Sequence, residues 1–124
     1  APEEDIIEEG INPLTELGIR AGDSSIVLTE EQKKKMAEYE KKSEEIFRRR
    51  FEREADRIIS KVYNKNTMAA SESKFMAASQ KAMEELNSAQ EEIASQTAMP
   101  SAKSRLIASQ IIDKITNAKK KEIK

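Results

Sequence analysis

The chain has no cysteine and no histidine. Without cysteine there is no disulfide framework and no thiol nucleophile. Without histidine the commonest general base near neutral pH and the commonest zinc ligand are missing. A helical di-iron site built on Glu-x-x-His pairs is excluded on the same ground. Tryptophan is absent as well, and the aromatics come to three Phe and two Tyr. So little aromatic mass points to a thin core, as in a bundle or coiled coil, rather than a deep globule. All three glycines and two of the three prolines fall within residues 1–28. The remainder, broken only by Pro100, is free to form long helices. There is no glycine-rich phosphate loop. No apolar run approaches the roughly 18 residues of a membrane span, and no signal-peptide pattern opens the chain. A first residue of Ala rather than Met leaves a processed or exported protein open without establishing it, and the compartment is not read from the sequence.

Charge is plentiful, with 22 basic and 23 acidic side chains, but it is unevenly placed. Residues 1–28 hold seven acids against Arg20, a net −6, which leaves +5 for the rest of a chain whose total is −1. The pattern divides the 124 residues into an acidic arm (1–28), a helical body (29–118) and a basic tail (119–124).

The body opens on Thr29-Glu30-Glu31-Gln32, a capping-box pattern. Glu30 and Glu31 also place negative charge at the positive end of the helix dipole. Acids then precede bases by four residues in Glu30–Lys34, Glu31–Lys35, Glu38–Lys42, Glu44–Arg48 and Glu45–Arg49, the better orientation for such pairs. A helix is expected over 29–63. Its first half is almost wholly polar. Its second half carries an apolar stripe, Phe47, Phe51, Ala55, Ile58 and Val62, flanked by Ile46 and Ile59.

Asn64-Lys65-Asn66-Thr67 favours caps over helix and joins this element to a second, expected over 68–97. There Phe75, Ala82, Leu86, Ala89 and Ile93 recur at helical spacing, with Met76 and Met83 alongside, read as core-facing in preference to an adaptable binding face. Met99-Pro100-Ser101 breaks the chain. A third helix is expected over 101–118, with Leu106, Ile107, Ile111, Ile112 and Ile115 as its stripe and a fraying lysine-rich tail after it. In the arm, Gly10 and Gly18 bound two short helical stretches. Asn12-Pro13 starts the second, and Leu14 and Leu17 share a face. The fold class is therefore all-α. The long helices form a partial antiparallel hairpin or three-helix bundle, with a short-helix N-terminal arm.

Chemistry finds little to stand on. Nearly all carboxylates lie on charged faces beside Lys or Arg, whereas a catalytic carboxylate needs burial to raise its pKa. Asp113, between Ile112 and Lys114, is the nearest to an apolar setting. Glu3, Glu4, Asp5, Glu8 and Glu9 cluster without the glycine and ligand order of a calcium loop. No catalytic residue, cofactor or metal is expected. Arg48, Arg49, Arg50, Arg53 and Arg57 are interleaved with Glu44, Glu45, Glu52, Glu54 and Asp56, which favours an ion-paired face over a nucleic-acid surface.

The reading that remains is a non-enzymatic protein–protein interaction protein acting through amphipathic helices, as a structural or assembly subunit with homo-oligomerisation open to it. Leu14, Leu17, Phe47, Phe51, Ile58 and Val62 are the candidate protein-binding residues. The competing use of the Phe47–Val62 stripe is as the chain's own core. The plan of several unequal helices in a small extended chain is similar to that of parasite actin-sequestering proteins of the toxofilin kind. That likeness of layout implies monomeric actin as an alternative partner. A helical chaperone or secretion partner is a further alternative in the same class.

Overall fold

A computed structural model of the chain describes residues 28–123. Among them are four helices and no strand: α1 (Glu30–Ser60), α2 (Lys65–Met68), α3 (Glu72–Gln96) and α4 (Ser101–Ile123). Leu14 and Leu17, and the rest of the arm before residue 28, lie outside the described residues.

The capping box at the start of α1 is formed on both sides. The Thr29 hydroxyl accepts from the Gln32 N–H at 3.1 Å, and the Thr29 N–H donates to Gln32 Oε1 at 2.9 Å. Of the expected i,i+4 pairs, Glu31–Lys35 (3.8 Å) and Glu44–Arg48 (3.5 Å) are present, while Glu30 reaches Lys33 at 3.4 Å. These pairs are exposed, so each is worth at most about 0.5 kcal/mol.

The three long helices run up, down and up. Arg50 Nη2 donates to Gln96 Oε1 at 2.5 Å and Lys61 pairs with Glu85 at 3.7 Å, so α3 runs antiparallel to α1. Lys103 pairs with Glu44 at 3.9 Å and Lys119 with Asp56 at 3.0 Å, so α4 runs parallel to α1. The apolar stripe of α1 sits between its neighbours. Phe47, Phe51, Ala55, Ile58, Ile59 and Val62 form one buried cluster with Ala82, Leu86, Ile93 and Ala94 of α3 and Ile107, Ala108, Ile111 and Ile115 of α4. The Phe47 and Phe51 rings stack with centroids 5.6 Å apart. No described residue of α1 before Ser43 is buried, and that polar half runs on beyond the cluster.

Three features differ from the sequence expectation. First, α1 stops at Ser60 rather than at 63, and α3 starts at Glu72 rather than at 68. The intervening polar side chains satisfy the helix ends. Asn64 Nδ2 donates to the Ser60 carbonyl (2.9 Å), Asn64 Oδ1 accepts from the Thr67 N–H (2.9 Å), and Thr67 Oγ1 donates to the Lys61 carbonyl (3.1 Å). Val62 stays in the cluster although the helix has ended, which is why its periodicity read as helix. Second, α4 continues to Ile123 instead of fraying after 118. The Lys119 side chain is only 16% exposed and pairs with Asp56, and the Lys120 ammonium lies 5.4 Å from the Tyr63 ring centroid. Third, Leu106, assigned to the apolar stripe of α4, is 61% exposed. Ser104 and Ala108 take the inward positions around it, because small residues let α4 approach closely.

The α3–α4 turn is a Schellman motif closed by the wrong residue type. Met99 N–H bonds to the Ala94 carbonyl (2.9 Å) and Ala98 N–H to that of Ser95 (3.4 Å), with Ala98 at φ 56°. A Cβ in the left-handed region costs about 1–2 kcal/mol, of which glycine's greater unfolded-state freedom takes back about 0.5–1 kcal/mol. Ala98→Gly is therefore expected to stabilise the protein by about 0.5–1 kcal/mol in a urea melt. A loss of stability would mean that the turn does not require the left-handed conformation.

Candidate protein-interaction surface

Of the six candidate binding residues, four are described. Phe47, Phe51, Ile58 and Val62 all lie within the cluster. In this state the stripe serves the chain's own core, the competing use set out above. What faces outward comes from elsewhere.

The outward face of α3 is apolar along its first half. Helical geometry turns Phe75, Ala78, Ala82, Leu86 and Ile93 toward α1 and α4. The opposite positions are Ser73, Met76, Ala77, Gln80 and Met83. With Glu72 and Ser79 they line an open groove of about 820 Å³. Met76 is 61% exposed and Met83 is 54% exposed. The sequence reading set both beside the core stripe, and the structure turns them out. The physical reason is that Ala78 and Ala82 let α3 sit close to its neighbours, so the buried arc is narrower than the apolar arc of the sequence. Met68, beside α3 on the short helix α2, is exposed too.

The arginine-rich part of α1 is heavily engaged. Arg48 pairs with Glu44, Arg50 holds the end of α3 through Gln96, and Arg57 bonds Glu54 through both Nε and Nη2. The hydrogen bond to Glu54, and then the charge of the same carboxylate, hold Arg57 above its ordinary pKa. A second groove of about 430 Å³, between α1 and α3, mixes both signs: Arg50, Arg53, Glu54 and Glu92 line it with Ala89 and Ile93. Such a surface suits neither a polyanion nor a polycation.

The buried polar side chains among the described residues are Ser43, Gln90, Thr97 and Ser104, three hydroxyls and an amide. Thr97 Oγ1 bonds back to the Ile93 carbonyl at 2.7 Å, and Gln90 Nε2 donates to Ser104 Oγ at 2.6 Å. The first closes the C-terminal end of α3, and the second joins α3 to α4. Among the described residues no three acidic side chains gather to hold a metal ion, and no helix is long and apolar enough to cross a membrane.

Sequence reasoning favoured a core-facing place for Met76 and Met83 over an adaptable binding face, and the structure turns both outward. The available signal was the width of the apolar pattern in α3, which exceeds what two neighbouring helices can cover. No family model matches the chain, and no curated protein or solved structure matches it either.

Proposed function

We propose that this chain is a non-catalytic protein-interaction module, a structural or assembly subunit that works through helix faces. The observation that carries the reading is the groove on α3, where two exposed methionines one heptad apart flank Ala77 and Gln80. The outward face of a bundle helix is ordinarily charged. Methionine is unbranched and polarisable, and it adapts to another apolar surface. Small residues between the two methionines leave room for a helix laid along the groove. The occupant is therefore an amphipathic helix of a protein partner, or of a second copy, presenting residues at i, i+3 or i+4, and i+7.

Light scattering joined with small-angle X-ray scattering tests this on the full chain and on Met76→Glu/Met83→Glu. The full chain is expected to self-associate with rising concentration, and its monomer to exceed the roughly 14 Å radius of gyration of a compact chain of this length. The double variant is expected to lose the association while its stability changes by no more than about 0.5 kcal/mol. Association unaffected by both glutamates would remove the groove from the reading.

A second reading, an elongated binder of a single protein such as monomeric actin, draws on one feature: the polar half of α1 extends beyond the cluster. Actin capture that survives the double methionine variant would favour it.

A further inference from the structure

With no cysteine, histidine or tryptophan in the chain, the five methionine sulfurs are the groups that a hydroperoxide attacks most readily. All five lie among the described residues, and the fold sorts them. Met99 is 8% exposed and packs in the cluster that α1, α3 and α4 share. Met36 is half-buried on α1. Met68, Met76 and Met83 are exposed, and the last two stand together in the groove on α3, with Ala77 and Gln80 between them. Apart from Met99 the buried cluster is built from Phe, Leu, Ile, Val and Ala, none of which a hydroperoxide oxidises. Oxidisable sulfur and structural core are thus kept apart, save for one shielded side chain.

We propose that Met76 and Met83 form a paired oxidation site that releases the occupant of the α3 groove while the bundle stays folded, an inference that rests on the docking role proposed for that groove. The co-reactant is hydrogen peroxide. A sulfur lone pair attacks one peroxide oxygen, and an S–O bond forms as the O–O bond breaks. The departing hydroxide takes the proton of the transferred oxygen and leaves as water. Each thioether gives up two electrons and becomes a sulfoxide, and each peroxide gains them. A flexible apolar side chain has then become a polar one. On the free chain both sulfoxide oxygens stand in water and cost the fold little. Under a docked helix they lose that water, and an apolar partner face offers no donor in return. The two oxygens lie seven residues apart, so the change acts along two turns of the contact. Leucine matches methionine in helix propensity and in apolar character, and it carries no sulfur to oxidise.

The test treats the full chain with hydrogen peroxide in steps and reads the sites of oxygen uptake by peptide mass spectrometry. Met76 and Met83 are expected to be converted to sulfoxide while Met99 stays reduced. At that point the helical circular dichroism melt is expected to be unchanged. Light scattering is expected to show self-association weakened by more than about tenfold, as burial of unpaired polar oxygens requires. Methionine sulfoxide reductases acting on both epimers are expected to restore it. Met76→Leu/Met83→Leu is expected to associate like the parent and to be indifferent to peroxide. Four results would each overturn the proposal: Met99 oxidised as fast as the pair, a melt lost while Met99 is still reduced, association kept by the doubly oxidised chain, or a leucine variant that peroxide still dissociates. A reduced parent that stays monomeric at every concentration is a different outcome. It removes the docking role of the groove itself, and the switch with it.

Discussion

Phe51→Ala is expected to lower the stability of this protein by about 3–5 kcal/mol, the usual cost of truncating a buried phenylalanine. The side chain is fully buried, stacks on Phe47, and lies at the centre of the cluster shared by all three long helices. Its removal takes away apolar burial and leaves a void that two straight neighbouring helices cannot collapse to fill. The proportion matters more than the amount. Domains of this size are stable by about 5–15 kcal/mol in total, and only three phenylalanines are present to share the core. A thermal melt followed by helical circular dichroism is expected to move down by more than about 10 °C, at some 4–8 °C per kcal/mol. Phe51→Asp, which adds a buried charge to the void, is expected to abolish the cooperative transition. The same measurement separates core from contact. A stripe used only to grip a partner would let Phe51→Ala melt like the parent. Met83→Ala on the outer face serves as the internal comparison and is expected to change stability by less than about 0.5 kcal/mol.

The parts of this fold that were legible in the sequence are those governed by nearest neighbours along one helix. The cap at Thr29 is a four-residue pattern, and it forms as read. The stripe from Phe47 to Val62 is a spacing rule, and every member is buried. Legibility fails where the answer depends on a second element. Met76 and Phe75 are adjacent in sequence, and only the approach of α1 decides which of them is inside. Leu106 has the chemistry of a core residue, yet Ser104 is buried in its place because close helix packing rewards small size over hydrophobicity. Val62 kept its periodicity past the end of its helix, so the boundary at Ser60 was hidden by packing rather than by propensity. The candidate surface follows the same division. That apolar helix faces would meet something was plain from the composition. Which face meets the chain itself and which meets solvent is a property of the assembled bundle.

Ser104→Ala is expected to cost about 1–3 kcal/mol although it removes a single oxygen, because of what it strands. The Ser104 hydroxyl accepts from Gln90 Nε2 at 2.6 Å and itself donates to the Ser101 carbonyl at 2.9 Å. With alanine there, the Gln90 amide stays buried between α3 and α4 and loses that acceptor. The converse change is not its mirror image. Gln90→Leu leaves the serine hydroxyl with its bond to Ser101 and adds apolar surface to a cluster already formed by Leu86, Ile93 and Ile107. It is expected to lie within about 1 kcal/mol of the parent, an approximately volume-conserving change into a hydrophobic site. Gln90→Leu/Ser104→Ala then recovers most of the loss, so the two changes are non-additive by about the cost of the stranded amide. Urea melts of the four proteins measure that coupling directly, and additive effects would show that the hydrogen bond contributes nothing specific to stability. A pair that leucine can replace without loss is retained for something other than stability. The role expected of it is alignment, since one buried amide has one hydroxyl to meet and so favours a single register of α3 against α4. The double variant is therefore expected to keep its melting temperature and to lose dispersion in the amide resonances of α3 and α4.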